Sequence, residues 1–376
     1  MIKIVFNSKY PEAVATYNYG NALRKIENIT KFDWDNYGKY DVALFMPYDE
    51  DLVDAKVAKA ENPSLVVGLI DPRDSRVEEY LPYIDFLIID SLEMKDFFSR
   101  YGLPMFTYYE YPDIPTFSKE HRNKETIIIG YHGNKVHLSS MYPILTKALE
   151  LLGKEYRIEF WAVYNLEKLG IWEMGVPKGI PVKHIQWSEH VYEEKLAQVD
   201  IGIIPGLTPI KNHKRIKKSG AFTGNYFIET EDDYLIRFKV SSNPGRIIVF
   251  GKLGVPVVSD FSPSALQWIN DGQNGFLAYS CGGWYRALER LIINHQLRNT
   301  FKKNMMNFVE MKANFDAQNS NFIQFLNGIK SRDIKMPDVI KEPTDHLKIK
   351  KNYFMRRVKN SRLYSKINNF RRRIIL

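Results

Sequence analysis

Between Lys239 and Leu288 the chain carries residue types suited to holding a phosphate. Ser241, Ser242, Asn243, Pro244, Gly245 and Arg246 form a polar, Gly/Pro-broken loop. It runs straight into the apolar helical spacing of Ile247, Ile248, Phe250 and Leu253. A helix start offers backbone N–H groups without intrahelical partners, and Arg246 with Lys239 adds fixed positive charge. Such groups suit a phosphate or pyrophosphate. An earlier loop has related chemistry. Gly130-Tyr131-His132-Gly133-Asn134-Lys135 follows a strand-like run and precedes a helical one, and glycines at 130 and 133 let backbone approach a ligand closely. By spacing alone this loop reads as an ordinary strand-to-helix turn; taken together with the downstream loop, it reads as part of a binding site. His132 is either a hydrogen-bond partner of the ligand or a solvated loop histidine.

The order continues past the first helix. That helix stops at Gly254, and Pro256-Val257-Val258 opens a short buried strand. Asp271-Gly272-Gln273-Asn274-Gly275-Phe276-Leu277 then supplies a glycine-shaped, hairpin-like loop, and Trp284 and Leu288 sit on the next helix. In this order the segment resembles the nucleotide-sugar-binding half of the glycosyl transferases group 1, enzymes of the two-Rossmann-domain GT-B fold. Upstream, the stretches Ile127 to Met141 and Trp187 to Pro205 are similar to the first strand and Gly loop of that domain and to the helix and strand before its phosphate site. The resemblance covers the C-terminal half well and the N-terminal half in outline.

It implies a transferase that moves a sugar from a nucleotide diphosphate donor to an acceptor hydroxyl on a glycan or lipid-linked acceptor, in surface glycan synthesis of the bacterial type, without a cofactor. Gly130, His132, Gly133 and Asn134 would line the diphosphate and sugar, and Lys239, Ser241, Ser242, Asn243 and Arg246 would complete the donor site. One departure matters. Many members carry a pair of Glu residues across this loop and helix, where this chain has Ser241 and Val249. Ribose recognition by the second Glu is therefore not implied.

An inverting enzyme needs a general base for the acceptor hydroxyl. No His precedes His121, which narrows the choice in the N-terminal half to Asp49, Asp71, Asp90 and Glu110. Asp71 ends the run Leu65 to Ile70; the family often has a His-Asp element at a similar place, and here Ile70 stands for the His. Asp71 is the base candidate, and equally a cap for the following helix. Retaining chemistry needs no such base, because the leaving phosphate takes the proton, and retention is favoured. Asp33-Trp34-Asp35 looks like a metal-binding Asp-x-Asp, yet it precedes a strand-like run in an aromatic loop instead of ending a strand. No His/Asp/Glu cluster has metal-ligand spacing, so a metal-independent enzyme is expected.

The elements that must position these residues alternate along the chain. Strand-like runs at Ile2–Phe6, Val42–Met46, Leu65–Ile70 and Phe86–Ile89 are separated by helical patterns at Asn18–Ile26, Asp51–Ala60 and Leu92–Tyr101. A second series runs from Thr126 to Ser259. Such alternation predicts parallel sheets covered by helices. The expected fold class is α/β, two Rossmann-like domains facing across a cleft (GT-B), plus a basic C-terminal tail. The divisions are 1–118 for the acceptor domain, 119–330 for the nucleotide-sugar domain, and 331–376 for linker and tail. Residues 207–238 read as an insertion, basic in KNHKRIKK and acidic in ETEDD, that the resemblance does not explain.

Composition bounds the rest. The 376 residues are 44% hydrophobic and 26% charged, which suits a globular protein of two domains. No apolar run approaches the ~18 residues of a membrane span. The single Cys281 excludes an internal disulfide and a Cys-based zinc site. The N-terminus lacks the pattern of a secretory signal, so a cytoplasmic protein is expected. The net charge of +9 is uneven: residues 345–376 hold eleven Lys/Arg and one acid, leaving residues 1–344 at −1. With Leu363, Ile367, Phe370 and Ile374 on one helical face, that tail is read as a contact to an anionic membrane surface, on the inner face of the plasma membrane. Nucleic-acid contact and a disordered solubilising end are the alternatives for the tail, and nucleic acid is not the expected partner. For the whole chain, the rivals are a nucleotide-sugar 2-epimerase and a non-catalytic nucleotide-sugar-binding partner subunit.

Overall fold

The computed structural model describes residues 2–72, 77–117, 119–189, 192–206, 208–209, 236–237 and 243–331. The chain forms two parallel six-stranded sheets, each covered by helices. The first contains β1 (Ile4–Asn7), β2 (Ile29–Lys31), β3 (Val42–Phe45), β4 (Val66–Ile70), β5 (Phe86–Ile89) and β6 (Met105–Thr107), in the order β2-β1-β3-β4-β5-β6. Its helices are α1 (Val14–Leu23), α2 (Asp49–Glu61), α3 (Val77–Tyr80) and α4 (Leu92–Ser99). The second sheet contains β7 (Ile127–His132), β8 (Ile158–Tyr164), β9 (Val182–Gln186), β10 (Ile201–Ile204), β13 (Val257–Asp260) and β14 (Phe276–Ala278). Its order, β14-β13-β10-β7-β8-β9, is the dinucleotide-fold order with its switch point between β7 and β10. The short strands β11 (Thr208–Pro209) and β12 (Ile236–Arg237) pair antiparallel outside both sheets.

Central strands such as Val42–Phe45, Phe86–Ile89 and Ile201–Ile204 are unbroken apolar runs, buried along their whole length. Helices on both faces demand this, because no side chain of a central strand has a route to water. The helices of the second half are α5 (Lys135–Ser140), α6 (Ile144–Glu155), α7 (Leu166–Leu169), α8 (Tyr192–Ala197), α9 (Gly245–Lys252), α10 (Pro263–Leu266), α11 (Cys281–Ile293), α12 (His295–Lys312) and α13 (Phe315–Ser331). Trp284 and Leu288 are buried on α11. α13 crosses back to the first sheet, where Phe322 packs against Phe86, Phe106 and Tyr108.

Three expectations change. Asp271–Gly275 does not turn a hairpin: β14 returns parallel to β13, with α10 in the connection. The edge strands β2, β6 and β9 carry mixed-polarity sequences that gave no strand signal, and none of them is fully buried. Gly130 is not a loop residue. It lies inside β7, and a Cβ there would run into the methyl groups of Val199, so its smallness serves the packing of the loop that leads into β10. Gly130→Ala is expected to cost about 2–3 kcal/mol by overpacking. Val199→Ala in the same chain should restore most of that stability, as urea denaturation of the single and double variants would show.

Candidate functional site

A cavity of 540 Å³ opens between the two domains. Its second-domain wall is built from the ends of parallel strands: His132, Gly133 and Asn134 after β7, Asn165 and Lys168 after β8, Trp187 and Tyr192 after β9, and Gly245, Arg246 and Val249 of α9. The first-domain wall is one face of α1. Val14, Tyr17, Asn18 and Asn21 recur at i, i+3, i+4 and i+7 and all line the cavity. The connector after β6 closes the floor with Glu110 to Ile114.

Gly133 has φ +131°, and a Cβ there would stand 2.9 Å from Tyr131 Oη and 3.4 Å from Arg246 Cδ. Only glycine fits, and the β7 loop is thereby held against α9. Asn134 accepts from Val136 N–H (3.0 Å) to cap α5, and its carbonyl accepts from Tyr131 Oη (2.7 Å). Arg246 Nη1 donates to the Pro205 carbonyl (3.2 Å), and its guanidinium lies 5.7 Å from the centre of the Tyr131 ring. It also lines a second cavity, of 420 Å³, beside Asp260, Ser262 and Ser264. The Arg246 charge therefore faces the cleft.

His132 is neither solvated nor charged. Its ring lies edge-on to Phe250 (5.0 Å) and beside Tyr192 (6.4 Å). Burial, helped by the nearby Arg246 charge, pushes its pKa down to about 3, against a weaker opposing hydrogen bond that the ring donates to the Arg246 backbone carbonyl. A neutral imidazole can donate or accept a hydrogen bond; it does not deliver protons at neutral pH. His132 Nε2 and Tyr192 Oη are both buried without a hydrogen-bond partner among the described residues, and both belong to residues that line this cavity. Buried polar atoms of this kind call for a partner.

The remaining candidates divide. Asn243 lines the cavity: its amide donates to Glu110 Oε2 (3.1 Å), and its oxygen accepts from Gly245 N–H (3.3 Å). Val249, at the position that the family resemblance gives to a Glu, is an apolar part of the wall, and carboxylates come from Glu110, Asp113, Glu189 and Glu193. Lys239, Ser241 and Ser242 lie outside the described residues, as do most of the 207–238 segment and the whole 345–376 tail. Asp71 ends β4 in a left-handed conformation (φ 51°), is buried, and is not among the residues that line the cavity. Of the four carboxylates considered as a base, Glu110 alone stands at the cavity. Asp33 is bound to Lys39 (2.5 Å) and Tyr40 (2.5 Å), which hold its carboxyl below the usual range. No group of three or more His, Cys, Asp or Glu among the described residues is placed to hold a metal.

Sequence reasoning missed the α1 wall, Trp187 and Tyr192 as site residues. The signal for α1 was present in the spacing of Val14, Tyr17, Asn18 and Asn21. Trp187 and Tyr192 are a stacked pair (5.9 Å) from a stretch read only as scaffold.

The fold is GT-B: two Rossmann-like domains facing across a cleft. The chain superposes on Anabaena HepE, solved with UDP-glucose, with a TM-score of 0.57 at 12% identity, over 87% of this chain and 100% of that one. A glycosyltransferase from Rickettsia africae gives a TM-score of 0.51 at 11% identity, over 86% and 83% of the two chains. An α,α-trehalose-phosphate synthase (UDP-forming) from Burkholderia xenovorans, solved with glucose-6-phosphate, gives 0.50 at 13%, over 76% and 72%. At these identities the likeness is one of fold. No protein-family model and no curated protein sequence matches the chain.

The buried histidines set a pH dependence. The folded chain refuses protons at His132 (pKa about 3) and His121 (about 4) that the unfolded chain binds below about 6.5. Their contribution to stability is complete above about 6.5 and is lost as pH falls toward those folded values. Asp51, pushed up to about 6 by burial, works in the opposite sense over the upper part of that window. Comparison with a variant isolates one group. Between pH 7 and pH 5, wild type should lose about 2 kcal/mol more than His132→Gln, measured from urea midpoints.

Proposed function

We propose that this chain is a glycosyltransferase that takes a sugar from a nucleoside diphosphate donor and passes it to an acceptor hydroxyl. The observation that carries the reading is that one interdomain cavity is lined both by the helix start at Gly245-Arg246 and by His132 and Tyr192, whose buried Nε2 and Oη lack partners among the described residues. The α9 dipole and Arg246 suit the diphosphate. Neutral His132 and Tyr192 suit groups that hydrogen-bond without charge. Support also comes from structures of the same fold that hold UDP-glucose or are described as UDP-forming.

In this reading residues 119–330 hold the donor, with Gly133, Asn134, Asn243, Arg246, Lys239, Ser241 and Ser242 around its phosphates. Residues 1–118 present the acceptor along the α1 wall, joined by α13 on the first sheet. The bond between the sugar C1 and the diphosphate oxygen breaks as a bond from C1 to the acceptor oxygen forms. The acceptor proton passes to the leaving phosphate, which gives retention. That route is consistent with Asp71 standing away from the cavity wall. Arg246 offsets the charge that grows on the leaving diphosphate.

Arg246→Ala should weaken UDP or other nucleoside diphosphate binding by about 10- to 100-fold, the loss of a charge-assisted contact, without lowering the melting temperature of the nucleotide-free protein. Calorimetric titration and a panel of nucleotide sugars test this. A wild-type protein that binds donor and never releases nucleoside diphosphate is a partner subunit, not an enzyme.

The acceptor is proposed to be a glycan, free or lipid-linked, met at a membrane surface. What supports that location is the net +10 of residues 345–376, together with the spacing of Leu363, Ile367, Phe370 and Ile374. Sedimentation with anionic vesicles should retain the full chain, less so as salt rises, and leave a 1–344 truncation in solution. Equal partitioning of the two removes the membrane role.

A further inference from the structure

The connector between the sheets sets one carboxylate into the cavity for which the mechanism above has no use. Tyr108 Oη donates to Asn319 Oδ1 (2.8 Å), Tyr109 lies edge-on to Trp268 (4.9 Å), and Tyr111 stacks on Phe315 (4.3 Å). These three anchors leave Glu110 little freedom of backbone position, and its side chain lines the cavity. One carboxylate oxygen accepts from Asn18 Nδ2 of α1 and the other from Asn243 Nδ2 (3.1 Å). Asn243 Oδ1 in turn accepts from Gly245 N–H (3.3 Å), the first residue of α9. The backbone closes on the same point, since a Cβ at Gly245 would stand 2.8 Å from the Glu110 carbonyl oxygen.

A fixed negative charge is thus tied, through one amide, to the helix start where an anion is favoured. A diphosphate docking at α9 would meet that charge at short range and would compete with it for one donor, Asn243 Nδ2. Two residues that line the same cavity, His132 and Tyr192, are more than nine-tenths buried, and their Nε2 and Oη atoms lack partners among the described residues, a second observation that points to a ligand there.

We propose that Glu110 is a built-in placeholder for the donor's diphosphate: its carboxylate holds Asn243 across the domain seam and yields that amide when a nucleoside diphosphate docks at α9. The inference rests on the reading above that such a ligand docks there. Glu110 acts through Asn243 and is a positioning residue. It holds nucleoside diphosphate affinity down and, by reclaiming Asn243, favours release of the product nucleotide.

The test is calorimetric titration of UDP into wild type, Glu110→Gln, Glu110→Ala and Glu110→Asp, at low and at high salt. Gln keeps the shape and an oxygen for Asn243 while removing the charge. The Gln and Ala variants should bind UDP about three- to tenfold more tightly than wild type, with the gain shrinking as salt rises, and Asp should stay near wild type. A purely structural role would give weaker binding and no salt dependence of the difference. Equal or weaker binding by folded Gln and Ala variants overturns the proposal, and so does failure of both to fold, since a placeholder is not needed for folding. Should UDP, GDP, ADP and dTDP all fail to bind wild type, the donor reading falls together with the placeholder. Binding to wild type without a gain in the variants removes the placeholder alone.

Discussion

The contact on which the cleft depends is between the start of α9 and the backbone of Glu110. At 2.8 Å from that carbonyl oxygen, no Cβ fits on residue 245, so glycine there sets how closely the two domains approach. The approach is held from both ends. Tyr108, Tyr109 and Tyr111 pin the connector to Asn319, Trp268 and Phe315, and Phe250 anchors α9 in the core. Glu93 of α4, accepting from Ser264 N–H (3.2 Å) and its hydroxyl at the start of α10, ties the domains a second time. A helix start, an arginine and a glycine loop come to face one cavity because these contacts leave few other arrangements.

The electrostatics follow from that packing. Among the described residues Arg246 donates to the Pro205 carbonyl and not to a carboxylate, so its charge remains available to an anion. The same charge, added to burial, keeps His132 neutral. The cavity is also lined by four carboxylates, Glu110, Asp113, Glu189 and Glu193.

Much of the fold was legible in the sequence, because buried parallel strands have a simple signature. Phe86–Ile89 and Ile201–Ile204 begin and end where their apolar runs do. The edge strands escaped notice: Ile29–Lys31 and Val182–Gln186 are only partly buried and need no apolar run. Arg246, Gly133, Asn134 and Asn243 were recognisable because local chemistry explains them. Gly130 shows the limit of local reading: a glycine in a loop motif reads as room for a ligand, and only the tertiary contact shows that Val199 packs against it. Tyr17 and Glu110 were hard to assign because their place at the cavity depends on how two domains face each other, which no local pattern encodes.

The central claim is that the α9 start and the β7 loop together hold a nucleoside diphosphate. Its most direct test is a crystal structure grown with saturating UDP. The account predicts the pyrophosphate within hydrogen-bond reach of the first N–H groups of α9 and of Arg246, with Gly133 alongside and partners supplied to His132 Nε2 and Tyr192 Oη. A nucleotide bound elsewhere on the chain, with this cavity holding only solvent, would contradict it.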